Sequence, residues 1–76
     1  MTTLSVDDRN RWLAHEPIDR VRFTHDDLVT ILSGEHSGMV GSLVSIEQIE
    51  PEVLFRIEVD SGFEIVVNQT DIELVG

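Results

Sequence analysis

The chain contains no cysteine, no lysine and no tyrosine. Without cysteine, neither a disulfide framework nor a thiolate metal site can reinforce the fold. Without lysine, the glycines that lead to Val40-Gly41-Ser42 cannot form a P-loop, which needs a lysine and a following Ser or Thr. With cysteine, lysine and tyrosine absent and no Ser-His-Asp arrangement suggested by spacing, catalysis is not expected. No apolar run approaches the roughly 20 residues that span a bilayer. Met1-Thr2-Thr3-Leu4-Ser5 has neither a basic start nor an apolar stretch, so it does not read as a secretory signal. The expected location is the cytoplasm.

What is present is acid. Residues 1–25 are balanced, with Arg9, Arg11, Arg20 and Arg22 against Asp7, Asp8, Glu16 and Asp19. From residue 26 onward Arg56 is the only base against eleven acids, so this part carries the whole net charge of −10. Such a surface repels phosphate backbones and anionic lipid and favours a basic protein partner. Neither nucleic acid nor membrane is an expected partner. At 76 residues there is room for one domain with a thin core, since a chain this short hides only about 60% of its extended surface.

Ser5-Val6-Asp7-Asp8 reads as a helix start, with Ser5 as cap and the two carboxylates in the first turn. Val6, Trp12 and Leu13 fall near one face, and Pro17 is expected to end the helix after about three turns. Residues 1–17 are thus read as a helix packed on a β domain formed by 18–76. Val21 and Phe23 alternate with arginines in an extended segment, and His25-Asp26-Asp27 reads as a turn. Leu28–Leu32 is a strand with Val29 and Ile31 on one face. From Leu43 to Ile46 the inward face is ambiguous unless a bulge intervenes. Val53, Phe55, Ile57 and Val59 alternate cleanly, the mark of a strand with one buried face. Asp60-Ser61-Gly62 reads as a hairpin turn, with Phe63, Ile65 and Val67 continuing the buried face. After a turn at Asn68-Gln69-Thr70, Ile72 and Leu74 complete five short strands, which suggests a small barrel.

The stretch from Asp27 to Leu43 resembles the KOW motif of NusG transcription factors and of several ribosomal large-subunit proteins. The matching features are the acid before the strand, Val29 and Ile31, the glycine spacing Gly34, Gly38, Gly41, and the apolar Leu43 and Ile46. The resemblance implies a mainly β fold, a five-stranded SH3-like barrel, here preceded by one short N-terminal α-helix. Glycines at this spacing permit positive φ and close backbone approach where a chain reverses sharply. The loop positions that are typically basic in the RNA-binding members of the group read Glu35, His36, Ser37, Met39 and Val40 here. Affinity for nucleic acid comes largely from Lys and Arg, so RNA binding does not follow from the fold.

Gly34, Gly38, Gly41 and Gly62 are therefore read as loop-structural. Glu35, His36 and Met39 are the candidate partner contacts, against the simpler reading of a solvated turn. Trp12 is either the anchor of the helix or an interface residue. Outward-facing Leu54 and Val66 need a cover, from the helix or from another chain. The three histidines, His15, His25 and His36, have no paired spacing, so no metal or other cofactor is expected. A barrel this thin leaves little room for a pocket of about 300 Å3. The expected function is a non-enzymatic, small acidic interaction module of KOW/SH3-like type, monomeric or homodimeric. The alternative is an acidic inhibitor or immunity-type protein that imitates the charge of a nuclease's or toxin's substrate, and a divergent RNA-binding KOW protein is a third reading.

Overall fold

A computed structural model describes residues 4–60 and 62–75. One helix, α1 (Val6–Leu13), precedes five strands: β1 (Leu28–Ile31), β2 (Val40–Gln48), β3 (Leu54–Val59), β4 (Glu64–Asn68) and β5 (Ile72–Leu74). The strands form one antiparallel sheet in the order β4-β3-β2-β1-β5. No helix among the described residues is long and apolar enough to cross a membrane.

The helix starts as its sequence dictates, with the Ser5 hydroxyl accepting the Asp8 N–H at 3.1 Å and Asp7 and Asp8 in the first turn. It ends earlier than Pro17 implies. The N–H groups of His15 and Glu16 donate to the carbonyls of Trp12 and Arg11 at 3.1 and 2.9 Å, and His15 takes the left-handed conformation, φ 63°. This is a Schellman closure with histidine in the place glycine usually holds. Pro17 follows a helix that has already stopped. The inward line is Leu4, Asp8 and Trp12, four residues apart, and not the expected trio. Val6 is 78% exposed and Leu13 is also exposed, while Trp12 is 1% exposed.

Strand β2 resolves the ambiguity of its facing. Its register against β3 slips twice, between Leu43 and Ser45 and between Ile46 and Gln48. Val44 and Glu47 are the extra residues of two bulges, so Leu43 and Ile46 both point inward and the strand bends. The sheet is accordingly curled. Flat strands about 4.8 Å apart would separate β4 from β5 by about 19 Å. Only Gln69–Asp71, one turn of 3₁₀ helix, joins them, and the chain from Asn68 to Ile72 reaches at most about 14 Å. The two margins therefore bend toward each other, yet they are not paired, so the expected barrel is left open in its hydrogen bonding.

The hollow of the curl holds the core: Val29, Ile31, Leu43, Ile46, Val53, Phe55, Ile57, Val59 and Ile72, with Phe23 and Trp12 closing one side. Ile65 and Val67 pack against it as expected. Phe63 does not, being 53% exposed. It precedes β4, at the tip of the hairpin, where the sheet no longer lies beneath it. Residue Ser61 of the expected hairpin turn lies outside the described residues. Of the outward pair Leu54 and Val66, Leu54 is partly buried and Val66 stays exposed, while the helix sends Trp12 to the inner face, its ring 5.7 Å from Phe55.

Residues 20–23 form no strand, despite their alternation. They are held instead by Gln69, whose side-chain oxygen accepts the Arg22 N–H at 2.7 Å and whose amide donates to the Arg20 carbonyl at 2.9 Å. The Trp12 indole N–H fastens the same segment by donating to the Phe23 carbonyl at 2.8 Å.

Candidate functional site: the glycine loop and the hairpin tip

The loop between β1 and β2 is closed at its base by hydrogen bonds from the Gly38 N–H to the Ile31 carbonyl, 2.8 Å, and from the Ile31 N–H to the Met39 carbonyl, 2.9 Å. Gly34 and Gly38 both have positive φ, 88° and 91°, which glycine adopts without penalty. Gly41 serves another need. A β-carbon there would lie 2.5 Å from the Ile57 side chain and 2.6 Å from the Glu58 carbonyl oxygen, so β2 approaches β3 closely only because the residue is glycine. Gly62 has φ 78° and carries the turn into β4.

This loop carries Glu35, His36 and Met39. The His36 ring lies 6.3 Å from that of Phe63, and its Nε2 lies 3.6 Å from a Glu35 carboxylate oxygen. The glycine loop and the β3–β4 hairpin therefore meet at one corner of the sheet. Met39, Val40 and Phe63 are exposed there, Glu35 lies beside His36, and Glu58 and Asp60 line a groove with Val40. Phe63 was not legible as a site residue, because strand alternation assigned it to the core. Its position at a hairpin tip, just after Gly62, was the available signal.

Trp12 does not belong to this corner. At 1% exposure it offers no surface to a partner, and it serves as the anchor of the helix. His15 and His25 come together beside it, with ring centroids 6.1 Å apart. Among the described residues no three metal-ligating side chains converge.

On the outer face Arg56, the one base of the sheet, is shared by two acids. It lies 3.4 Å from Glu47 and 3.6 Å from Glu64. The Ser45 hydroxyl also donates to Glu47. That hydrogen bond first, and Arg56 second, hold the Glu47 carboxyl below its ordinary pKa, with Arg9 of the helix adding a small pull. Beside the corner, Leu28, Val40, Ser42, Glu58, Asp60 and Gly62 line an open groove of about 320 Å3, larger than so thin a fold was expected to offer. Comparison of the chain with protein-family models, with curated proteins and with solved structures finds no match, so any reading of the site rests on its own chemistry.

Proposed function

We propose that the chain is a non-enzymatic interaction module of KOW/SH3-like type that binds a basic protein partner through the glycine loop and the adjoining acidic surface. The observation that carries this reading is the corner itself. Two segments distant in sequence converge through His36 and Phe63, and they expose apolar Met39, Val40 and Phe63 beside the carboxylates of Glu35, Glu58 and Asp60. Exposed apolar side chains rimmed by charge are the usual anatomy of a protein contact, and a flexible thioether suits an adaptable surface. The curled five-strand meander, with β5 returned to the side of β1, supports the SH3-like reading of the fold.

The test is affinity capture from ribonuclease-treated extract, comparing the native chain with a Met39→Ser, Phe63→Ser double variant. Both positions are exposed, so the variant keeps its core. The reading expects a specific basic protein with the native chain and its loss with the variant. Equal capture by both, or recovery of RNA alone from untreated extract, overturns it.

A further inference from the structure

The outer face is graded from apolar to acidic along a line that crosses the strands. Leu28 is registered opposite Ser42, Ser42 opposite Glu58, and Glu58 opposite Glu64, so one row runs over β1, β2, β3 and β4. Ser42 is the small member between two long side chains, and the row sinks at that point into the groove described above. Val40 and the exposed Leu28 give the groove an apolar end, while Glu58 and Asp60 give it an acidic end. The ion pairs of the sheet, among the described residues, engage Arg56 with Glu47 and Glu64. Glu58 and Asp60 take no part in them.

We infer that this groove takes one short extended segment of the basic partner, placing an aliphatic side chain over Leu28 and Val40 and arginine side chains against Glu58 and Asp60. The inference rests on the reading of the chain as a module for a basic partner and specifies how that partner is held. Two strand spacings separate Leu28 from Glu58, about 10 Å. Alternate side chains of an extended segment share one face at about 7 Å, and the length of an arginine covers the remainder. A guanidinium also suits a carboxylate better than an ammonium does, because it can donate two parallel hydrogen bonds. A second copy of this chain is a poor occupant, since each copy carries a net charge of −10.

The probe is the blocked hexapeptide Ser-Val-Ser-Arg-Ser-Arg, titrated into the 15N-labelled full chain at about 0.15 M salt. Two control peptides carry serine for valine, or glutamine for both arginines. The expected result is amide shift changes confined to residues 28, 40–42, 58–60 and 62. Binding should be at least about tenfold weaker to Glu58→Gln, Asp60→Asn protein, because hydrogen bonds between charged groups carry that order of energy, and should weaken similarly with either control peptide. Shifts spread evenly over the acidic face, or equal binding by the serine control, would show charge attraction alone and overturn the groove. Partner capture that still depends on Met39 and Phe63 would then leave the broader function standing without this site.

Discussion

The carboxamide of Gln69 holds the backbone of Arg22 as a neighbouring strand would, accepting its N–H at 2.7 Å while donating to Arg20 two residues earlier. One side chain thus replaces a strand pairing and ties the N-terminal segment to the connector between the margins of the sheet. Gln69 is also the one buried polar side chain among the described residues. Its replacement by alanine leaves two backbone groups without partners, at a cost of about 2–3 kcal/mol. A fall in melting temperature of roughly 10–20 °C follows for a domain of this size. Thermal unfolding followed by circular dichroism checks it, and a change under a few degrees would show that water replaces the amide.

Trp12 should separate packing from hydrogen bonding. Trp12→Phe keeps a ring against Phe55 but leaves the Phe23 carbonyl without its donor, costing about 1–3 kcal/mol. Trp12→Ala removes both, costing about 3–5 kcal/mol, a large share of the roughly 4–11 kcal/mol that a domain of this length has at about 0.05–0.15 kcal/mol per residue. Urea unfolding read by circular dichroism should rank native, Phe and Ala in that order, with the alanine variant near the limit of folding.

The glycines of the loop should not be equivalent. Gly38→Ala meets open space and is strained only by its φ of 91°, a cost of about 1 kcal/mol. Gly41→Ala drives a methyl group into Ile57 and the Glu58 backbone, at about 3 kcal/mol. Chemical denaturation midpoints for the two variants should differ clearly, with Gly41→Ala the less stable.

His15 is a non-glycine residue in a left-handed helix closure, and His15→Gly should raise stability by about 0.5–1 kcal/mol. A higher melting temperature is the expected readout. A loss would mean that the imidazole beside His25 contributes more than the backbone strain removes.

Glu47 gives a pH dependence with a definite sign. Its folded-state pKa lies below the unfolded value, so its contribution is fully present above the unfolded pKa and disappears as the pH falls through the folded one. The stability difference between native protein and Glu47→Gln should therefore be largest at neutral pH. It should shrink as the pH falls below about 5, through the carboxylate range. Comparing the two proteins at each pH cancels the relief of repulsion that protonation brings to the other acids. A difference that stays constant down to pH 2 would contradict the assignment.

The β pattern was readable wherever burial alone decides it. Val53, Phe55, Ile57 and Val59 point inward as their alternation demands, and the ambiguity at Leu43–Ile46 correctly announced a bulge. Glycine spacing gave the two positive φ angles of the loop and the close approach at Gly41. The errors fall where long-range contacts override local pattern. Nothing local showed that the extended segment at residues 20–23 would take its hydrogen-bond partners from Gln69, 47 residues away from Arg22. Val6 and Leu13 were expected inward, but the helix turns the line of Leu4, Asp8 and Trp12 to the core and leaves both outside. Phe63 continues the period of β4 beyond the point where there is a core to enter. The candidate corner needed the fold, because the proximity of His36 and Phe63 depends on how sharply the sheet bends.

Joining opposite margins of the sheet through three residues makes those margins mechanically dependent on each other. Lifting β4 pulls on Gln69 and with it the chain leading back to the helix. Lifting β5 pulls on Asp71, whose backbone carbonyl and carboxylate hold Leu32 and Ser33 at the entry to the glycine loop. The amides of β4 and β5 that are hydrogen-bonded to β3 and β1, ordinarily the first to fray, should therefore exchange with the same protection as those in the middle of the sheet, and the domain should open all at once.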